Sequence, residues 1–173
     1  MIKLFCKANS AHLLITNGKG GVNLISEFIK PSYIQLNVAT EEWEDAIKVS
    51  CKPLIDDKTI DSSYVDGIIK SAKEFGPYFV IAEGVALPHC SNDNNVYRDA
   101  LSIVTLKKPV RFGHELNDPV KYIFTLAPKE TDSHINGLAE LANLLSINEF
   151  YNILDNSTNP QEVYDYILKK EGN

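Results

Sequence analysis

Short apolar runs alternate along this chain with stretches whose apolar residues recur every three or four positions, and that alternation limits the fold more than any other feature. The runs built on Tyr33, Ile34, Leu36 and Val38, on Phe79, Val80, Ile81 and Ala82, on Leu101, Ile103, Val104 and Leu106, and from Val120 to Ala127 have the length and composition of strands. They predict strands near 33–38, 78–82, 101–107 and 120–127. Between and after them, Trp43, Ala46, Ile47, Ser50, Cys51, Leu54 and Ile55 make one helical stripe, and Val65, Ile68, Ile69 and Ala72 a second. Ile135, Leu138, Ala139, Ala142 and Leu145 make a third. Helices are expected near 41–55, 62–75, 133–146 and 160–169. Thr40 is a suitable first cap, with Glu41 and Glu42 behind it; Ser63 and Asp66 have capping-box spacing; Gly76-Pro77 ends the second helix. Asn159, Pro160 and Glu162 open the last one. Strands interleaved with helices predict an α/β class: a single-domain layered sandwich, with a mixed β-sheet flanked by helices on both faces.

At 173 residues the chain is long enough for one domain with a sizeable core. Its net charge of −6 argues against a protein that lives by gripping nucleic-acid phosphates. Cys6, Cys51 and Cys90 form neither a disulfide framework nor a four-cysteine zinc site, and a reducing cytoplasm is the simplest home. No apolar run approaches the ~20 residues of a membrane span. Cys51 falls on the inward stripe and reads as a small core residue.

Residues 1–30 read as an N-terminal extension, with Asn17-Gly18 as a hairpin-type dipeptide. The glycine-rich run Gly18-Lys19-Gly20-Gly21 lacks the spacing of a phosphate-binding loop.

The chemistry concentrates after Gly76. Phe79 to Ala82 is a buried strand, Glu83-Gly84 breaks it, and Val85-Ala86-Leu87 resumes an extended run that Pro88 keeps extended. His89 is thus presented at the tip of a stiff segment, beside a polar loop that starts at Ser91. His134 lies at the start of a helix, where backbone N–H groups and the positive end of the dipole favour an anion. Other chemistries use the same side chains. Cys90 beside His89 suggests a thiol nucleophile with its base, but neighbours on an extended segment point to opposite faces. His89, Cys90, His114 and His134 are zinc-ligand types without a ligand-pair spacing.

The run Gly76-Pro77-Tyr78-Phe79-Val80-Ile81-Ala82-Glu83-Gly84-Val85-Ala86-Leu87-Pro88-His89 resembles the active-site segment of the IIA components of the bacterial sugar phosphotransferase system, in the mannitol/fructose superfamily and, within it, the ascorbate type. Leu101 to Val110, Asn117-Asp118-Pro119-Val120 and Trp43-Glu44-Asp45-Ala46 are similar to the same subgroup, and the likeness runs from about residue 28 to the C-terminus, which implies a IIA domain over 31–173. The resemblance implies a cytoplasmic phosphotransferase in which His89 takes the place of the phosphorylated histidine and His134 that of the second active-site histidine, close enough for one phosphate oxygen to bond both. It implies a phosphoryl group taken from the histidine phosphocarrier protein HPr and given to a cysteine of a IIB partner, while a membrane IIC partner moves the sugar, of ascorbate or pentitol-like type. No metal, nucleotide or other cofactor is needed for such direct transfer. An alternative is a regulatory phosphoacceptor that controls a transcription regulator or a transporter. Where the ascorbate type commonly has an arginine soon after the histidine, this chain has Cys90-Ser91-Asn92, and Arg98 or Lys129 are the cations that could stand in for it.

Overall fold

The computed structural model describes residues 25–90, 95–129 and 131–171, apart from the side chains of 131–137. Five strands form one mixed sheet: β1 (Ile34–Val38), β2 (Val80–Ala82), β3 (Val85–Ala86), β4 (Ala100–Val110) and β5 (Val120–Ala127), in the order β1-β4-β5-β3-β2. β1 runs parallel to β4 and β3 parallel to β5, while β4 with β5 and β2 with β3 are antiparallel. Five helices surround it: α1 (Trp43–Asp56), α2 (Ser62–Phe75), α3 (Thr131–Leu145), α4 (Asn148–Asn156) and α5 (Pro160–Glu171). No helix among the described residues is long and apolar enough to cross a membrane.

The pleat of the two central strands shows which helix covers which face. Ser102 of β4 pairs with Thr125 of β5, so their side chains share one face. There Ser102 Oγ donates to the Ser50 carbonyl at 2.6 Å, and Ser50 Oγ meets Thr125 Oγ1 at 2.7 Å, so α1 lies on that side. All three hydroxyls are buried, and each has a partner, which avoids the cost of ~1–3 kcal/mol for a lone buried polar group. The next pair, Ile103 and Phe124, faces the other way, and Phe124 packs on Phe150 of α4 with ring centroids 6.2 Å apart. Phe150 in turn stacks on Tyr166 of α5. The helices therefore flank both faces, as the alternation of patterns predicts.

The ends of the helices differ in detail from the sequence reading. α1 is capped at Glu42, with no side-chain bond, rather than at Thr40. α2 is capped by Asp61, whose carboxylate accepts from the Ser63 N–H at 2.9 Å, so Ser63 is inside the helix and not its cap. Asn159 does cap α5, accepting from the Gln161 N–H at 2.9 Å. Among the described side chains of α3, Leu141 and Leu144 are buried and Leu138 and Leu145 partly packed, while Ala139 and Ala142 face outward; the side chain of Ile135, the first residue of the expected stripe, lies outside the described ones. The larger leucines have more apolar surface to hide, and they set the rotation of the helix about its axis. α4 was not among the expected helices, and β4 runs on to Val110, past Lys107-Lys108-Pro109.

The packed body includes residues ahead of Lys30. Ile25, Phe28 and Ile29 are buried, the Phe28 carbonyl accepts from Leu101 N–H of β4 at 2.7 Å, and Ser26 N–H donates to Glu171 of α5 at 2.7 Å. The hairpin dipeptide at Asn17-Gly18, the glycine-rich run after it, and the polar loop at 91–94 lie outside the described residues.

Candidate functional site

His89 is held by the strand that delivers it. β2 and β3 form a tight hairpin around Glu83-Gly84, where Gly84 takes φ +70°, a conformation that a side chain would strain. Gly84 N–H donates to the Asn117 carbonyl at 2.9 Å, and its own carbonyl accepts from Lys121 and Tyr122. Beyond β3, Leu87 N–H bonds the Phe79 carbonyl at 2.7 Å, and the Pro88 carbonyl accepts from Leu126 N–H at 3.1 Å. The chain up to residue 88 is thus tied on both sides, to β2's approach and to β5, before His89 leaves the sheet.

The peptide that joins His89 to Cys90 is clamped by two tyrosines. Tyr78 Oη donates to the His89 carbonyl at 2.9 Å, and the Cys90 N–H points at Tyr64 Oη at 3.3 Å. Tyr64 is buried, and its own hydroxyl donates a hydrogen bond to the Leu126 carbonyl at 2.8 Å. Burial holds both phenols above their ordinary pKa, which moves them further from ionisation.

The imidazole is oriented by its own backbone. Nδ1 of His89 lies 2.8 Å from the Leu87 carbonyl. A carbonyl oxygen can only accept, so Nδ1 carries the proton, and in the neutral ring the lone pair is on Nε2. The Tyr78 ring meets the imidazole edge to face, with centroids 5.9 Å apart and planes at 88°. His89, Cys90, Tyr78, Ser71 and Phe75 line an open depression of about 310 Å³. Phe75 is 70% exposed and Tyr78 44%, so its rim presents aromatic surface to solvent.

The other candidate residues fall in different places. His134 stands on the first turn of α3, and the lie of its side chain is outside the described residues. The backbone nonetheless puts the two histidines at one end of the sheet: β3 and β5 are parallel neighbours, β3 leads to His89, and β5 leads to the start of α3. His114 is absorbed in a loop, its Nδ1 accepting from the N–H groups of Leu116 and Asn117. Among the described residues no group of histidine, cysteine and acidic side chains could hold a metal ion. Cys90 lines the same depression as His89, contrary to the simple alternation of an extended chain, with its thiol turned to the Tyr64 carbonyl at 3.8 Å. Cys51 is fully buried, and burial pushes its thiol up to about 12. Arg98 is not a stand-in for the missing arginine: its guanidinium is bound to Asp57 at 2.7 Å and to Thr59 at 3.2 Å. Tyr78, Tyr64, Ser71 and Phe75 are the site residues that sequence patterns did not single out. The hairpin register is the signal that could have found Tyr78: Val80 opposite Ala86 brings Tyr78 towards residues 88 and 89.

Comparison with known proteins fits this geometry. Residues 27–170 match the family described as phosphoenolpyruvate-dependent sugar phosphotransferase system, EIIA 2. The ascorbate-specific PTS system EIIA component of Escherichia coli K12 is 36% identical over 135 residues, which span 78% of this chain and 88% of that protein. A crystal structure of a PTS IIA protein (PtxA) from Streptococcus mutans superposes with a TM-score of 0.78 at 29% identity, covering 87% of this chain and 96% of that one. The IIA–phosphorylated IIB complex of the Escherichia coli mannitol system superposes at 0.71 and 21% identity, over 82% of this chain and 97% of the matched one, a likeness of fold alone. With the family model spanning most of its length, the chain belongs to the EIIA 2 family of the phosphoenolpyruvate-dependent sugar phosphotransferase system, and it is a phosphotransferase that serves sugar uptake.

Proposed function

We propose that this protein is a cytoplasmic phosphocarrier of the ascorbate type, which takes a phosphoryl group from phospho-HPr onto Nε2 of His89 and gives it to a cysteine of a IIB partner. The observation that carries this reading is the 2.8 Å bond from His89 Nδ1 to the Leu87 carbonyl. It keeps the proton on one nitrogen and the nucleophilic pair on the other. As Nε2 attacks phosphorus, the bond from phosphorus to the donor's imidazole nitrogen breaks and its electron pair returns to the donor. The proton on Nδ1 stays in place, and its bond to the carbonyl strengthens as the ring gains positive character. The group then leaves by the reverse exchange, to a thiolate that forms the new bond to phosphorus.

The first turn of α3 supports the anionic group, through helix N–H groups and, in this reading, His134. The acceptor is supported by the fold likeness to a protein solved with phosphorylated IIB, and the sugar class by the ascorbate-specific relative. The IIC partner, which would carry the sugar through the membrane, acts only through IIB.

The test is labelling with phosphoenolpyruvate, enzyme I and HPr. One acid-labile, base-stable phosphoryl group is expected on His89, because a phosphoramidate hydrolyses once its nitrogen is protonated. His134→Ala should still be labelled but pass the group on more slowly, having lost one charge-assisted hydrogen bond of roughly 1.5–3 kcal/mol. Label that survives in His89→Ala and disappears in Cys90→Ala would replace this mechanism with a thiol-based one.

A further inference from the structure

Resting on the reading of His89 as the phosphoryl acceptor, we infer that Tyr78 is a positioning residue for the transfer, fixing the imidazole so that Nε2 is the only nitrogen offered to phosphorus. Three observations meet in this one side chain. Its hydroxyl donates to the His89 carbonyl at 2.9 Å, its ring lies edge to face against the imidazole at 5.9 Å, and it lines the same depression as His89.

The two contacts restrain different freedoms. The bond from Nδ1 to the Leu87 carbonyl requires both a given backbone path through residues 87–89 and a given imidazole rotamer. The hydroxyl fixes the path, because it holds the first peptide that leaves the sheet. The ring restrains the rotamer, because it packs edge to face against the imidazole, a contact that another rotamer would break. Tyr64 holds the other polar atom of the same peptide, but it is buried and also bonds β5, so its loss would disturb the core as well. Tyr78 is 44% exposed, and its replacement leaves the packing of the sheet largely intact. A positioning device is needed here because a histidine with two usable nitrogens divides its population between two tautomers, and only one of them presents its lone pair at Nε2.

The test uses the full chain, isotope-labelled at nitrogen, as wild type, Tyr78→Phe and Tyr78→Ala. In the wild type, the imidazole resonances of His89 should show a single tautomer with the proton on Nδ1. Tyr78→Phe keeps the ring and loses the hydroxyl, so phosphoryl acceptance from phospho-HPr should fall roughly tenfold, with a small move towards mixed tautomers. Tyr78→Ala should lose roughly a hundredfold, with the His89 resonances near the average of both tautomers. Wild-type resonances and rate in Tyr78→Ala would overturn the inference, and so would a slowed transfer with an unchanged tautomer. If the alanine variant does not fold, unchanged rate and resonances in Tyr78→Phe overturn it instead. A wild-type chain that takes no label on His89 would defeat the phosphocarrier reading. The tautomer signals need no donor and would still judge what Tyr78 does to the ring.

Discussion

Two polar clusters on this protein each gather a tyrosine with residues of opposite task, and they are built on different principles. Around Asp57, charges neutralise one another: one carboxylate oxygen accepts from Lys30 Nζ at 2.8 Å, from Tyr33 Oη at 2.5 Å and from Arg98 at 2.7 Å, with Thr59 beside them. Around His89, the described contacts are of another kind: the Leu87 carbonyl bonds the ring at Nδ1, and the Tyr78 phenol bonds the His89 carbonyl. The first arrangement ties β1's approach, the end of α1 and the start of β4 together. The second leaves a nucleophile whose charge state can change when a phosphoryl group arrives. A cation given to Asp57 is no longer available to a phosphate, which is why Arg98 serves structure and not transfer.

The sharpest way to break this contrast is to exchange the readouts. His89→Ala should abolish phosphoryl acceptance and leave thermal stability near that of the wild type, since the ring is only partly buried. Asp57→Ala and Arg98→Ala should lower the melting temperature yet accept the group within about threefold of the wild-type rate, a difference below ~1 kcal/mol in the barrier. Acceptance that collapses in Arg98→Ala would show that the two clusters act as one.

Next in size is the support beneath the site. Phe79 is fully buried, touches Tyr78 and Phe112 edge on, and offers its carbonyl to Leu87. Phe79→Ala should cost ~3–5 kcal/mol in denaturant unfolding, by lost burial and the cavity left behind. Tyr78→Phe, one residue away, should cost under ~1.5 kcal/mol, one net hydrogen bond at most. Equal losses would mean that Tyr78 is a core residue and not a site residue.

Acid separates the clusters as well. Hydrogen bonding from Lys30, then from Tyr33, holds the Asp57 carboxyl well below the usual carboxylate range. Between its folded and unfolded pKa the folded chain binds fewer protons, so acid favours unfolding there. The stabilisation is fully present above the unfolded value of ~3.9 and is lost as pH falls below it. The melting temperature of Asp57→Asn should therefore fall less steeply than that of the wild type below pH ~4, followed by circular dichroism. Parallel curves would mean that the ion pairs contribute nothing to folding.

How far the sequence foretells these regions depends on the range of the forces in each. The central strands and the inward faces of α1 and α2 follow from local periodicity, and Ala46, Ile47, Ser50, Cys51 and Leu54 are all buried. The run read as a buried strand from Phe79 to Ala82 is instead the short edge strand β2, Val80–Ala82, with Ile81 and Ala82 exposed, because pairing on one side only leaves its outer face to solvent. α4 is short, and Ile147 at its start makes no side-chain cap, so it lacks the polar signal that marks a helix beginning. On α3 the spacing alone admits two rotations, and leucine burial chooses between them. At the site, the stiffness of Val85 to Pro88 points to His89 from the sequence alone. The Leu87 bond depends on a side-chain torsion, and the Tyr78 bond crosses a hairpin, so neither is written in neighbouring residues.

The smallest effect expected concerns the back of the site, where α2 passes behind Cys90. Gly67 lies inside that helix, and a methyl group placed there would sit 3.2 Å from the Cys90 sulfur. Two terms oppose each other. Alanine in a helix interior is favoured over glycine by ~1 kcal/mol. Against this, a contact closer than the ordinary van der Waals distance must push the thiol, and with it the clamped peptide of His89 and Cys90, by a few tenths of an ångström. Gly67→Ala alone should thus change stability by less than ~0.5 kcal/mol, while in a Cys90→Ala background, where the sulfur is gone, it should stabilise by ~1 kcal/mol. The same cycle reads the site, since Gly67→Ala should slow phosphoryl acceptance in the wild type and not in the Cys90→Ala chain. Full additivity in both measurements would show that Cys90 can turn away without moving the peptide that carries His89, and the rigid support argued for this region would then end at Pro88.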